Sequence, residues 1–350
     1  MFKRRQTKQV ICGGLAIGGG APISIQSMTN TDTKDINSTV DQIKRLETAG
    51  CQLVRVAVPD LEAAYAVGAI KKQSKIPVAA DIHFDYRLAV EAIHQGADKI
   101  RINPGNIGSS EKVQVIINEA KDYQIPIRIG VNSGSLEKSI IAKYQGVTAQ
   151  GLVESVLNQI KTIEDMDFDN IIISLKSSSV KMNYEAHKLI SSKISYPLHI
   201  GITESGTVQS GKIKSAVGIG ALLLEGIGDT IRVSLTGDPV QEIYAAKEIL
   251  KAAEVIQDGI NIISCPTCGR CHANLEKIAT SVENRTKDIN KNLTVAIMGC
   301  EVNGPGEAKE ADLGLACGKK NVLLFKKGEI VAKLKEEEAE DVLIQAISEM

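Results

Sequence analysis

The chain has 350 residues, 43% of them hydrophobic, and its 41 Lys and Arg nearly cancel its 42 Asp and Glu, leaving a net charge of −1. That is apolar material for a sizeable core, and the balance excludes the broad positive field of a nucleic-acid binder and the acidity of a disordered tail. Seven cysteines, an odd number without a secretory pattern, argue against a disulfide framework and leave metal binding, catalysis or inert burial.

The basic amino end, MFKRRQTKQVICGGLAIGGGAPISIQ, is broken by glycines and a proline before any apolar segment reaches leader length. No run approaches the roughly 18 apolar residues that cross a bilayer, so no membrane and a cytoplasmic location are expected. GLAIGGG is the nearest thing to a dinucleotide fingerprint, but it precedes the first strand where it should follow it.

From Pro22 onward, runs rich in Val and Ile alternate with helical stretches: ISIQSM, LVRVAV, PVAADI, KIRINP, PIRIGV, NIIISLK, PLHIGI and TIRVSL. Between them, segments such as Ser38 to Ala49 and Leu61 to Lys72 repeat apolar residues at three- and four-residue steps. Eight such units in about 240 residues predict an α/β chain with an amino-terminal (β/α)8 TIM-type barrel; an open doubly wound sheet is the alternative. GDPVQEIYAAKEILKAAE reads as the final barrel helix, so the barrel is assigned to 1–254 and a smaller α+β domain to 255–350. That second domain holds a cysteine cluster, a helix from about Asn274, the strand TVAIMGC, the turn EVNGPGEA, a strand pair around VLLFKKGEIVAKL and a charged terminal helix.

Barrel enzymes place their chemistry at the strand carboxyl ends, and these ends are unusually polar. Side chains two apart on a strand share a face, which groups Arg101 with Asn103, Arg232 with Ser234 and Asp81 with His83. Arg55, Arg128 and Lys176 hold comparable positions, and Asn132 follows Gly130 by two. Five cations thus converge on one mouth, where burial and mutual repulsion demand anions. Asp81, Glu204 and neighbouring carboxylates could supply them as structural ion pairs. The carboxylates are fewer than the cations, however, which points to a small polyanion with more than one phosphate, gripped by guanidinium forks. His83, beside Asp81, is a substrate contact or proton donor.

In SCPTCGRCHANL, Cys265 and Cys268 form a C-x-x-C pair on a loop after a short strand, with Cys271 close behind. Thiol redox chemistry, zinc and an iron–sulfur cluster are all compatible with the local spacing. Further on, Cys300 ends a strand ahead of a turn in which Gly304 and Gly306 allow close backbone approach and Glu307 adds a carboxylate. Cys12, Cys51 and Cys317 stand alone and read as small buried hydrophobes.

Taken together, CPTC, MGCEVNGPGEA, RVAVPD, DIHFDYRLA, KIRINPGNIG, IRIGVNSGSLE and GIGDTIRVSLTGDP resemble the 4-hydroxy-3-methylbut-2-enyl diphosphate synthase family, in its compact form without the extra plant-type domain. The resemblance spans about Gln26 to Lys333. It implies a [4Fe-4S] cluster on Cys265, Cys268 and Cys300, with Glu307 as a replaceable fourth ligand. It also implies 2-C-methyl-D-erythritol 2,4-cyclodiphosphate as substrate, reduced by two electrons with loss of water on the way to isoprenoid precursors. Arg55, Asp81, His83, Arg101, Arg128, Asn132, Lys176, Arg232, Ser234 and Asn303 would then contact substrate, and Glu204 would protonate the departing hydroxyl. Reduced flavodoxin or ferredoxin would supply electrons, and the chain would form a homodimer in which the barrel of one copy meets the cluster domain of the other. Cys271 and Cys317 depart from the family pattern and are left outside the ligand set. Two rivals are a phosphate-binding barrel wired to a closed relay cluster, and a pterin-type barrel transferase with a structural metal.

Overall fold

The computed structural model describes residues 3–257, 259–287, 289, 291–300, 308–319 and 321–350. The chain divides into two compact units, Met1–Val255 and Ile256–Met350.

The first unit begins with a hairpin that the sequence pattern did not announce. Its strands β1 (Gln9–Cys12) and β2 (Leu15–Gly18) pair antiparallel around Gly13 and Gly14, both at positive φ. Its inner residues Val10, Cys12 and Ile17 pack on Leu53, Ala79 and Ile172 from the barrel interior. A closed barrel must bury its amino-terminal end against something, and here the hairpin serves as the floor.

Eight parallel strands follow, one at each expected run: β3 (Ser24–Met28), β4 (Leu53–Ala57), β5 (Val78–Asp81), β6 (Lys99–Ile102), β7 (Ile127–Asn132), β8 (Ile171–Lys176), β9 (His199–Ile200) and β10 (Thr230–Ile231). Their order is β8-β7-β6-β5-β4-β3-β10-β9. The parallel bridge Ile173–Leu198 joins β8 to the residue before β9, which closes the ring and excludes the open sheet. The helices begin on side-chain caps where the sequence places Asp: Asp35 accepts from Ser38 N ahead of Ile36–Ala49, and Asp60 from Ala63 N ahead of Leu61–Gln73. Their apolar faces, for example Val40, Ile43 and Leu46, cover the outside of the barrel.

In the second unit, β11 (Ile260–Ser264), β12 (Leu293–Met298) and β13 (Leu313–Cys317) run parallel, and β14 (Val322–Lys326) and β15 (Glu329–Leu334) complete the sheet antiparallel. Helices Leu275–Thr286 and Glu336–Glu349 bury Leu275, Ile278, Val282, Ala339, Leu343 and Ile347 against Val295, Ile297, Leu313 and Leu315. The strand β13 had no distinct signal in the sequence.

Candidate functional site

At the carboxyl end of the barrel, Arg55, Asp81, His83, Arg101, Arg128, Asn132, Lys176, Arg232 and Ser234 line one cavity of about 110 Å³. Strand register explains the convergence: Arg101 pairs with Asp81 on one side and Arg128 on the other, and Asn132 pairs with Lys176. Gly130, Ser174 and Thr203 complete the wall and were not foreseen. Gly130 has a defined role there, because a Cβ at this position would lie 2.9 Å from Arg101 Nε and displace the guanidinium. Asn103 turns away to accept from Gly105 N at 3.1 Å, capping a short helical turn.

The cations are held by specific partners. Arg101 Nη1 donates to Asp81 Oδ1 at 3.0 Å, Arg55 Nε stands 3.6 Å from Asp81 Oδ2, and His83 Nε2 lies 3.5 Å from the same oxygen. Burial pushes the Asp81 carboxyl up, but Arg55, His83, Arg101 and Arg128 together outweigh it and hold the group well below the usual carboxylate range. Arg55 also directs Nε and Nη2 at Met28 Sδ, at 3.2 and 3.0 Å. A second carboxylate, Glu242 on the helix Val240–Ala252, receives Arg232 Nε and Nη2 at 3.3 and 3.2 Å, Ser27 Oγ at 2.8 Å and Leu235 N at 3.0 Å. Glu242 reads in the sequence as one more charge on a solvated helix, yet it is 3% exposed; its place opposite Ser27 and Arg232 is visible only in three dimensions.

Five cations against the two carboxylates Asp81 and Glu242 leave three positive charges in surplus. Among the described residues, neither Arg128 nor Lys176 has an ion-pair partner. Burial, followed by the neighbouring arginines, drives Arg128 and Lys176 well below their ordinary pKa values and Arg55 down to about 10. An anion in the cavity would relieve all three at once.

Glu204 follows Thr203 of the cavity wall. It is exposed, adopts a left-handed backbone (φ 51°), and is absent from the cavity lining.

In the smaller unit, Cys265 follows β11 and Cys300 follows β12, the neighbouring parallel strand. Gly299 N donates to Cys265 Sγ at 3.2 Å, so the main chain next to Cys300 already contacts the first thiol. Cys268 is exposed and Cys300 buried. Cys271 points into the domain core, donating to Ala273 O at 3.2 Å, and a Cβ on Gly299 would lie 2.6 Å from its sulfur. Cys12, Cys51 and Cys317 are buried, as lone cysteines tend to be. Asn303 and Glu307 lie outside the described residues. Among those described, no three His, Cys, Asp or Glu side chains are already gathered at metal-binding distance. The donor set itself suits a soft metal centre: thiols at the ends of adjacent strands, one of them receiving a backbone N–H.

Among the described residues, no helix is long and apolar enough to cross a membrane. The family model described as the GcpE TIM-barrel domain matches residues 7–247, and that of the GcpE protein C-terminal domain matches 261–349. The 4-hydroxy-3-methylbut-2-en-1-yl diphosphate synthase (flavodoxin) of Ruminiclostridium cellulolyticum is 59% identical over 349 residues, covering 100% of this chain and 99% of that protein. The protein of the same name from Clostridium acetobutylicum is 56% identical over 349 residues, 100% of each chain. Among solved structures, dihydropteroate synthases from Yersinia pestis and Coxiella burnetii each align with 71% of this chain and 99% of their own at 14% identity, with TM-scores of 0.50 and 0.51. That likeness concerns the barrel fold alone.

Proposed function

The chain belongs to the GcpE family, and on that premise we propose that it reduces 2-C-methyl-D-erythritol 2,4-cyclodiphosphate to 4-hydroxy-3-methylbut-2-enyl diphosphate. The reaction takes up two electrons, opens the cyclic diphosphate, loses one oxygen as water and yields an isoprenoid precursor. Relatives that align with the whole chain are named as synthases of that allylic diphosphate. The observation that carries the reading to these residues is the surplus of buried cations at the barrel mouth. A doubly phosphorylated substrate matches it in charge, and a neutral or cationic one does not.

In this reading Arg55, Arg101, Arg128, Lys176 and Arg232 take the phosphate oxygens, with Asn132 and Ser234 as neutral donors at the wall. Asp81 and Glu242 fix the forks before substrate arrives, so little reorganisation opposes binding. His83 lines the cavity beside Asp81 and is proposed as a substrate contact or proton donor. Glu204, outside the lining, could deliver a proton only from the rim, and Asn303 is a further proposed contact.

Cys265, Cys268 and Cys300 would hold a [4Fe-4S] cluster, with Glu307 as the weak fourth ligand. When bound, such a cluster supplies single electrons and an iron whose oxygen ligand can be replaced. The relatives' names favour flavodoxin over ferredoxin as electron donor. A homodimer and a reducing cytoplasmic setting, which the thiols require, belong to the same reading.

Turnover decides the matter. Anaerobically purified, cluster-loaded protein with reduced flavodoxin should convert the cyclodiphosphate to the allylic diphosphate. A colourless protein holding one zinc per chain and no activity would leave the pterin-type barrel or a relay as the better reading.

A further inference from the structure

Barrel interiors of this kind are ordinarily filled by Val, Ile and Leu, but beneath the cation ring this one sets polar side chains beside Leu53, Ala79 and Ile172. Alternation along the strands decides which side chains point inward. Arg101 and Arg232 line the cavity, so Lys99 and Thr230, two residues earlier, face the same interior at a deeper level, and the buried His199 interacts electrostatically with Arg128, Lys176 and Lys99. Ser27 donates outward to Glu242, which turns its neighbour Gln26, and with it Ser24, inward.

Ser24, Gln26, Lys99, Arg128, His199 and Thr230 are each at most 2% exposed. Among the described residues, Lys99 Nζ, Arg128 Nε and Nη1, both amide atoms of Gln26, both ring nitrogens of His199 and the hydroxyls of Ser24 and Thr230 have no hydrogen-bond partner in the protein. Buried polar atoms are seldom left in that state. The group is rich in donors: an ammonium, three guanidinium N–H bonds, an amide NH2, an imidazole N–H and two hydroxyls. A water molecule must donate as well as accept, and the ammonium of Lys99 and the guanidinium of Arg128 offer it no acceptor.

The charges agree. Arg128 cannot shed its proton, and Lys99 and His199 both interact with it. Asp81 belongs to the level above, already engaged by Arg55 and Arg101. Asp98, next to Lys99, faces the other way, toward Lys71 at 2.6 Å and Val78 N at 2.7 Å. Burial drives the Lys99 ammonium down to about 7, a strain that a counter-anion would remove. Below, the apolar hairpin floor shuts out solvent.

We infer that this layer is a binding site for one small inorganic anion of halide size, held by Lys99, Arg128, Gln26 and His199 between the cation ring and the hairpin floor. Arg128 is shared with the wall of the mouth cavity, whereas Lys99, Gln26 and His199 are not part of that lining.

The test is crystallographic: protein purified and crystallised in sodium bromide throughout, with anomalous differences recorded at the bromine edge. One strong anomalous peak at hydrogen-bonding distance from Lys99 Nζ is expected, lost in Lys99→Met and weakened in Gln26→Leu. Water alone in the wild-type layer, without anomalous signal, overturns the inference. A bromide peak unchanged in both variants overturns the assignment of these residues. Should Lys99→Met fail to fold, the wild-type crystal and Gln26→Leu decide.

Discussion

The cations of the barrel and the cysteines of the smaller unit are held by their surroundings in opposite ways. Arg55, Arg101 and Arg232 sit on or directly after strands and are fixed by Asp81, Glu242 and Met28 before any substrate is present. Cys265 and Cys300 stand at the ends of neighbouring strands, while Cys268 is exposed on the loop. Like charges would scatter unless rigid neighbours held them, so an anion site has to be preorganised by the fold. Thiols need no such scaffold, because metal binding supplies the free energy that orders its own ligands.

Five experiments press on that contrast, from the largest effect to the smallest. Cys300→Ser is expected to lose the cluster outright, seen as loss of visible absorption and of bound iron and sulfide, while cyclodiphosphate still binds the barrel. Retention of full iron content would mean that the thiol domain, too, is assembled without this residue.

The barrel scaffold should be acid-sensitive in a defined window. Burial lowers the His187 pKa to about 4 from an ordinary 6.5, despite the acceptor Asn183 O at 2.7 Å from Nδ1. Between those values the unfolded chain binds the extra proton, so stability rises with pH across the window and is lost as pH falls from 6.5 toward 4. The loss amounts to about 3 kcal/mol. Denaturant titrations of wild type and His187→Gln at both ends of the window should show a steeper slope in the former, by about that amount, because the buried His199 contributes to both.

Arg232→Ala should weaken cyclodiphosphate binding by about 2 kcal/mol, roughly 30-fold, in calorimetric titration. Unchanged affinity would remove Arg232 from the ring. Glu242→Gln keeps the shape but weakens the hold on Arg232, and about 1 kcal/mol of affinity should go with it. A loss equal to that of Arg232→Ala would mean that orientation, rather than charge, dominates at this position. As a control at the lower limit, Cys271→Ser should leave cluster content near normal, since its sulfur faces the core and Ala273 O.

Much of this was legible in the sequence because its signals are local. Each of the eight strands sits where a Val- and Ile-rich run predicted it, and two-residue alternation was enough to send Arg101, Arg128 and Arg232 to one mouth. What escaped depends on partners distant in the chain. Glu242 acquires its role from Ser27 and Arg232, 215 and 10 residues away. The hairpin Gln9–Gly18 is too short and glycine-rich to register as strands, and its apolar residues make sense only against Leu53, Ala79 and Ile172. Asn103 was placed beside Arg101 by parity, but it follows the last residue of β6, where the chain turns and the side chain becomes a cap. Asn303 and Glu307 fall outside the described residues.

The hairpin floor carries a kinetic consequence. A vessel stoppered at its base fills and drains through the same mouth, so a spent allylic diphosphate leaving by way of the arginines obstructs the next cyclodiphosphate. Product inhibition of this protein should therefore be competitive with substrate, and relieved by the same mouth substitutions that weaken substrate binding.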